Sequence, residues 1–279
     1  KKTFSTSPVM LTNTMTLKTD RMEIVDDRIF LQRVATFLSG YASFLMGCGA
    51  TCIRVEKNTR RMAKAFGVNS DIFIMPSHVS ASVWSTNLTG AAQGGGADCG
   101  ISFAMNARLS RLSWEVADKH LELSDAVKRY ERILQTKPTG KWEVLVMTSI
   151  ANAAFCRLFG GDWVAMLIVL VSTLAGFRLK QIMLGDKRDV RLTFLCASFF
   201  SASLSAGGHI FSIGTTPEVA LATSVLYLIP GVPYLNSVSD MIYRHYLCAF
   251  SRFLDAVVLT ACLSVGLCAG MFILGLKWF

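Results

Sequence analysis

Two prolines and a glycine interrupt one of the apolar segments in the second half of the chain. The interruption is the stretch LIPGVP, residues 228–233, which contains Pro230, Gly231 and Pro233. Each proline lacks a backbone N–H and crowds the preceding helical turn, so carbonyl groups lose their helical donors. In hydrocarbon such a break survives only where protein or a wet cavity covers it, and broken spans are typical of transporter sites. A simple kink, or a helix end at the interface, is the alternative of equal weight.

Polar side chains near this break are candidates for a substrate path. Asn236 and Asp240 follow it at a spacing that puts both on one face if a helix resumes. Asn152 lies in the middle of an earlier apolar segment, and Arg252 lies beyond the break, where it could attract an anionic group. Polar groups inside a membrane are costly and therefore often functional. Hydrogen bonding between helices for the two asparagines, and ion pairing for Asp240 and Arg252, are the alternatives.

The elements that would position these residues are membrane-spanning helices. Apolar residues make up 52% of the 279 residues, charged residues only 17%, and the mean hydropathy is +0.44. A spanning helix needs about 20 mostly apolar residues. Beyond residue 140 the uncharged runs predict five spans, at about 143–160, 163–183, 191–211, 218–235 and 254–277. The sequence thus predicts a membrane α-helical domain over 141–279.

The first half predicts a different kind of domain. Residues 1–26 are rich in Thr and Ser and are expected to form a flexible leader. Apolar residues then recur at threes and fours to residue 66, which predicts one long helix or two helices meeting around Gly47 and Gly49. The strand-like stretches that follow are 72–75, 79–86 and 100–106, with the Gly94–Gly96 run read as a turn. Ser113 is the predicted N-cap of a helix that continues to residue 134. The prediction for 27–140 is a cytoplasmic α+β domain.

Several classes of site are not expected. The eight cysteines form no C-x-x-C pair and no metal-ligand cluster with histidine, so we expect no metal. The Gly94–Gly96 run lacks the order of a phosphate-binding loop, and no cofactor is expected. The net charge of +9 is scattered rather than arranged in a basic stripe, which argues against nucleic acid as a partner. Membrane lipid is the expected surrounding.

The loop charges predict how the chain crosses the membrane. Basic residues concentrate in the loop between the second and third spans and in the one between the fourth and fifth. Lys and Arg are enriched in cytoplasmic loops. We therefore expect the N-terminus in the cytoplasm and the C-terminus outside.

Three motifs in order resemble those of the threonine/serine exporter family. Residues 46–67, MGCGATCIRVEKNTRRMAKAFG, resemble its SGAxxxRVExxMxRxAxxxG signature, and the candidate residues of this segment are Arg54, Glu56 and Arg60. The LFGG at 158–161 resembles a second motif. The third, PGxPLxNxxxD, is matched by 230–240 and is followed by Ser251 and Arg252. The resemblance covers about 28–278.

This resemblance implies a multi-pass exporter of the bacterial inner membrane, with hydroxy amino acids and dicarboxylates such as succinate among the family's substrates. Full-length members join two membrane halves, whereas this chain resembles the larger half with its cytoplasmic domain. The resemblance therefore implies a second small membrane subunit of the same family as partner, and a homo-oligomer is a further possibility. The expected driver is a proton gradient.

Two other functions remain open at the level of the sequence. The chain could be a membrane-anchored sensor whose α+β domain binds a metabolite while the spans serve as a scaffold. An intramembrane enzyme is disfavoured, because no G-x-S-x-G or H-E-x-x-H motif stands on any span.

Overall fold

The computed structural model describes residues 9–86, 88–95, 100–136, 139–210 and 214–275. Over these residues the first half forms α1 (Val9–Gly47), α2 (Cys52–Ala65), β1 (Asn69–Ile74), β2 (His78–Ser85), β3 (Leu88–Gly95), α3 (Phe103–Asp118) and α4 (Leu123–Leu134). The second half forms α5 (Lys141–Leu158), α6 (Trp163–Gly185), α7 (Val190–Ile210), α8 (Pro217–Thr223), a short 3-10 turn (Leu226–Leu228), α9 (Gly231–Ile242) and α10 (Tyr246–Ile273). The protein is mostly helical.

The chain divides into two compact units. The first unit comprises Lys1–Thr136 together with Asn236–Phe250, and the second comprises Lys137–Leu235 together with Ser251–Phe279. Most of α9 and the start of α10 thus group with the first unit, whereas the sequence assigned all of 141–279 to the membrane domain.

The first unit is built on an antiparallel sheet in the order β1-β2-β3, packed against α1. Two glycines of β3 allow this packing to be close. A Cβ atom at Gly90 would lie 2.8 Å from the backbone carbon of Leu31, and one at Gly94 would lie 2.4 Å from the backbone oxygen of Ser39. Glycine in a strand often marks such a close approach of another backbone.

The prediction of a turn at Gly94 and of a strand over 100–106 is therefore wrong. Gly94 and Gly95 belong to β3, which runs over Leu88–Gly95, and α3 begins at Phe103. The glycines had indicated a turn, but in the folded unit they provide room for α1. The first two predicted strands match β1 and β2 to within three residues at each end.

The predicted N-cap at Ser113 is also wrong. Ser102 is the N-cap of α3 and accepts a hydrogen bond from the Met105 N–H, whereas Ser113 is fully buried within that helix. The hydroxyl of Ser113 donates to the carbonyl of Ser110 and accepts from Arg61 at 2.6 Å. Serine is favoured at N-caps, but within a helix its hydroxyl can instead bond a carbonyl of the preceding turn, as Ser113 does. The helix also ends earlier than predicted, at Asp118, and α4 follows.

Of the two predicted alternatives, one long helix or two helices meeting near Gly47 and Gly49, the structure has two. Helix α1 ends at Gly47, Gly49 has a φ of +86°, and α2 begins at Cys52. Val34, Leu38 and Tyr41 of α1 are buried in a core shared with α2, the sheet and α3. The part of α1 from residue 9 to residue 26 continues as helix through the segment expected to be a flexible leader, and residues 1–8 of that leader lie outside the described residues.

The second unit has the burial pattern of a membrane-embedded helical domain. Its buried positions include Ser172, Thr173, Ser198 and Ser201, while many of its large apolar side chains are exposed. The most apolar stretch of α10 is only 22% buried within the protein. Small and polar residues between helices and apolar residues on the outside are typical of membrane domains.

Four helices of the described chain are long and apolar enough to cross a membrane, and a bent pair brings the number to five. Three of the four match predicted spans and are α6, α10 and Val190–Gly208 of α7. The bent pair matches the predicted fourth span. Helix α5 occupies the predicted first span. It is not apolar enough to count among the spanning helices, because it carries Lys141, Glu143 and Arg157. The remaining candidate is Val25–Gly47 of α1, whose apolar stripe is already covered in the first unit.

Candidate functional site

The N-terminus of α2 lies where the signature segment 46–67 turns into a helix. Thr51 is the residue before the helix, and its side chain makes no capping bond. The first N–H groups of a helix have no partner within it and attract negative charge. Here the Asp240 carboxylate accepts a hydrogen bond from the Cys52 N–H at 2.8 Å, and Asp240 is fully buried. Asp240, which belongs to the third motif, thus caps α2, the helix of the first motif.

Asn236 makes a second link between the same two motifs. Its amide donates to the carbonyl of Gly49 at 2.9 Å. Asn236 and Asp240 are four residues apart on α9, so the prediction that a resumed helix would put them on one face is confirmed. Both face the turn between α1 and α2, within the first unit. We call the contacts of Asn236 with Gly49 and of Asp240 with Cys52 the motif junction.

The candidate residues of the signature segment lie on α2, although the second arginine of the quoted pattern falls on Arg61 rather than Arg60. Glu56 pairs with Arg60 at 2.8 Å and lies 3.7 Å from the Nε2 atom of His245. Arg54 donates to the side-chain oxygen of Asn106 on α3 at 3.0 Å. Arg60 is exposed, and a surface ion pair of this kind contributes little to stability. Arg54 and Glu56 therefore connect α2 to its neighbours, while Arg60 lies toward solvent.

Asn152 lies in the second unit and bridges three helices. Its amide donates to the Oγ1 atom of Thr173 on α6 at 2.7 Å and to the carbonyl of Thr223 at 3.1 Å. Thr223 is the last residue of α8, where carbonyls have no helical donor. Asn152 is buried, and it satisfies a carbonyl at the end of α8, several residues before the break.

The helix is interrupted at the prolines, which both the broken span and the simple kink predicted. The helices on its two sides, Pro217–Leu228 and Gly231–Ile242, are bent by 61°. Pro230 lies between them, and Pro233 lies in the first turn of α9, where a missing N–H costs no helical bond. Gly231 begins α9, and its N–H donates to the carbonyl of Ile229 at 2.8 Å.

A hydroxyl network next to Asn152 was not predicted. Ser201 of α7 lies 2.8 Å from the hydroxyl of Tyr227 and donates to the carbonyl of Ser172 at 3.3 Å. A Cβ atom at Gly176 would lie 1.9 Å from the Ser201 oxygen, so this glycine leaves room for the network. Serines and tyrosines within apolar runs were the available signal, but their spacing does not reveal which helices face each other.

Asp162 is a further polar centre of the second unit, in the loop after the LFGG motif. Its carboxylate accepts from the N–H groups of Thr215 at 2.8 Å and Ala165 at 2.7 Å, and from the hydroxyl of Thr216 at 3.2 Å. The Thr215 N–H and then the Ala165 N–H lower the pKa of Asp162. Asp162 is also the N-cap of α6. It joins the loop before α6 to the loop before α8.

The predicted path residues therefore divide between the two units. Asn236 and Asp240 belong to the first unit; the others are Asn152, Pro230, Gly231, Pro233 and Arg252 of the second. Arg252 is partly buried on α10. Within each unit the structure groups residues that the sequence had singled out separately.

Comparison with known proteins gives a consistent result. Two relatives carry the name "Probable succinate transporter subunit YjjP". The protein from Klebsiella aerogenes is 25% identical over 233 residues, which is 82% of this chain and 89% of the relative. The protein from Escherichia coli strain K12 is 29% identical over 166 residues, which is 58% of this chain and 64% of the relative. No solved structure matches.

The family comparison covers most of the chain. A sequence model of the family described as "Putative threonine/serine exporter" matches residues 36–274. This range includes all three motifs, the motif junction, the broken span and Asn152. The chain belongs to the threonine/serine exporter family of membrane transporters.

Proposed function

We propose that this chain is the larger subunit of a secondary transporter that exports a small carboxylate-bearing metabolite. A dicarboxylate such as succinate, or a small amino acid such as threonine or serine, is the substrate class. Family membership and the names of the two relatives support this proposal. The absence of a phosphate-binding loop motif in the sequence favours a proton gradient as the driver.

The broken span is the observation that carries the proposal. A bend of 61° between Pro217–Leu228 and Gly231–Ile242 exposes backbone groups that hydrocarbon cannot satisfy. Asn152 donates a hydrogen bond to the carbonyl of Thr223. A substrate passing here would meet the other backbone N–H and C=O groups at the ends of the two half-helices. Pro230, Gly231 and Pro233 would form part of the path, with Asn152 and Arg252 contributing polar contacts.

We place the larger subunit in the bacterial inner membrane with the N-terminus in the cytoplasm and the C-terminus outside. The basic residues of the loop between α6 and α7, among them Lys187 and Arg188, support this orientation. The first unit would then gate the path or dock a partner. The motif junction at Asn236 and Asp240 would carry such gating, since both residues belong to α9 and hold the turn that starts α2.

A second small membrane subunit completes the proposed transporter. Both relatives are named as subunits, and this chain corresponds to nearly all of the Klebsiella relative's length. A partner related to the other half of full-length family members would supply further spans. Self-association of the larger subunit is the alternative assembly.

Efflux from preloaded cells tests the proposal. Cells that lack their own exporters would express the chain with and without its small partner and be loaded with radiolabelled succinate, threonine or serine. We expect efflux of one of these compounds only when both subunits are present. Efflux that is equal in empty cells for every compound would contradict the transport function and favour a sensor.

A matched pair of variants on α9 tests the site. Asn236→Ala removes the bond to Gly49, whereas Ser239→Ala removes a polar group from the same helix. We expect Asn236→Ala to lower the efflux rate about tenfold and Ser239→Ala to leave it within about twofold, because removing a bonded partner costs about 1–2 kcal/mol. Unchanged efflux in a stably inserted Asn236→Ala protein would remove the motif junction from the transport mechanism.

A further inference from the structure

A cleft between α3 and α4 of the first unit gathers four arginines. It has a volume of about 260 Å³ and is lined by Arg108, Arg111, Arg129 and Arg132 together with Leu112, Glu115 and Ile133. The two helices pack against each other, and Leu112 and Ile133 belong to the contact between them. The cleft therefore has an apolar floor and cationic walls.

Spacing along the helices brings the arginines to the same cleft. Arg108 and Arg111 are three residues apart on α3, and Arg129 and Arg132 are three apart on α4, so each pair shares one face of its helix. Like charges at this spacing repel each other within each helix. The facing rows add further repulsion across the cleft.

Only one of the four cations is balanced within the described part of the chain. Arg129 pairs with Glu115 at 2.6 Å. Among the residues that the structure describes, no carboxylate lies within ion-pair distance of Arg108, Arg111 or Arg132. Four arginines and one glutamate leave an excess of three positive charges around a concave space that an anion could enter.

Guanidinium groups determine what kind of anion this would be. Each presents a planar fork of N–H donors that matches two oxygens of a carboxylate or phosphate. Two rows of such forks on opposite walls suit a tetrahedral or planar oxyanion better than a single halide. The bond to Glu115 holds Arg129 in place and leaves the other three arginines available to the ligand.

We propose that this cleft is a binding site for an oxyanion, a phosphate or carboxylate group, separate from the substrate path. The group can belong to a soluble metabolite or to the headgroup of an anionic lipid. In either case it offsets part of the excess charge and ties α3 to α4. Binding there would stabilise the first unit and make its state depend on the anion.

Calorimetric titration of the full chain in neutral detergent distinguishes the sources. The probes are inorganic phosphate, succinate, short-chain phosphatidylglycerol and short-chain phosphatidylcholine as the neutral lipid control. The variants are Arg111→Gln and Arg132→Gln, one from each wall. Arg28→Gln is the matched control, because Arg28 is an exposed arginine of α1 outside the cleft.

We expect at least one anionic probe to bind saturably, with no binding of phosphatidylcholine. Each cleft variant should weaken that binding about three- to tenfold, and Arg28→Gln should leave it within about twofold, as expected for loss of one partly solvated charge contact. Phosphate or succinate binding identifies a soluble anion, and phosphatidylglycerol binding alone identifies a lipid headgroup. Absence of binding by all three anions, or binding that both cleft variants retain, would overturn the proposal. Efflux activity is not part of this readout, so the transport function can fail or hold independently.

Discussion

Individual side chains of this protein often complete helix ends that the backbone leaves unsatisfied. Asp240 serves the start of α2, Asp162 the start of α6, and Asn152 the end of α8. These three residues come from distant parts of the sequence or from loops. The sequence could single out Asn152 and Asp240 as unusual in their surroundings, but their partners follow only from the packing of the helices.

Replacement of Asp240 tests its role as a helix cap. We expect Asp240→Ala to lower the free energy of unfolding by about 1–2 kcal/mol, because the Cys52 N–H loses its acceptor and the helix start loses a negative charge. Asp240→Asn keeps an acceptor and should cost less. Thermal unfolding in detergent measures both, and equal stability of the alanine variant and the wild type would contradict the capping role.

Acidification should weaken the contacts of Asp162. Its pKa is lowered in the folded protein, so the unfolded chain takes up its proton first as the pH falls. The stabilisation is therefore fully present above the ordinary aspartate pKa of about 4 and is lost as the pH falls through the lowered value. The melting temperature of the wild type should drop more steeply below about pH 4 than that of Asp162→Asn.

Thr215→Val provides the comparison for that measurement. It removes the hydroxyl that donates to Asp162 at 3.1 Å but keeps the backbone donor. We expect its acid sensitivity to lie between those of the wild type and Asp162→Asn. Parallel pH curves for wild type and Asp162→Asn would show that the carboxylate does not carry the effect.

At the scale of elements, the sequence predicted the helices better than the sheet. Long apolar periodicity located α1, α2 and the spanning helices, because a helix repeats its pattern over many residues. The strand β3 was missed because Gly90, Gly94 and Gly95 give it the composition of a loop. The need for those glycines comes from α1, which is distant in sequence, and no local pattern records that need.

Two neighbouring glycines of β3 test the close packing of α1. Gly94→Ala would put a Cβ atom 2.4 Å from the Ser39 carbonyl oxygen, whereas a Cβ atom at Gly95 meets no atom within 4 Å. We expect Gly94→Ala to destabilise the protein by about 1–3 kcal/mol or to prevent folding, and Gly95→Ala to be tolerated within about 1 kcal/mol. Folded yield and thermal unfolding compare them, and equal tolerance of both alanines would contradict the packing.

The bundle of the second unit offers a similar pair of positions. A Cβ atom at Gly266 of α10 would lie 1.9 Å from the Ser198 oxygen and 2.4 Å from the Leu195 carbonyl oxygen, and one at Gly207 of α7 meets nothing within 4 Å. We expect Gly266→Ala to lower the melting temperature and Gly207→Ala to leave it unchanged or raise it. Close approach of small residues is a main source of helix association in lipid.

At the scale of the whole molecule, the three motifs predicted the family, and the long apolar runs predicted the membrane-spanning helices. The three motifs were recognisable because they are short and ordered along the chain, and the family comparison over 36–274 confirms the resemblance. The grouping of 236–250 with the first unit was not predictable from hydropathy, which places Tyr246 and its neighbours in an apolar run. Hydropathy indicates whether a residue is compatible with lipid or a protein core, but only the contacts of the folded chain show which unit it belongs to.

Topology can be tested on the intact chain. Reporter fusions after Lys187, between α6 and α7, should be active as cytoplasmic fluorescent protein and inactive as alkaline phosphatase. Fusions at Thr215, before α8, should behave in the opposite way. The same behaviour at both positions would contradict the proposed crossing between them.

The close fit of α1 on β3 has a mechanical consequence. Two notches, at Gly90 and Gly94, receive the backbone of α1 near Leu31 and Ser39. Sliding the helix along the strand would drive its backbone against Ala92, which lies between the two glycines on the same face of β3 and carries a side chain. The two glycines therefore fix the position of α1 along β3.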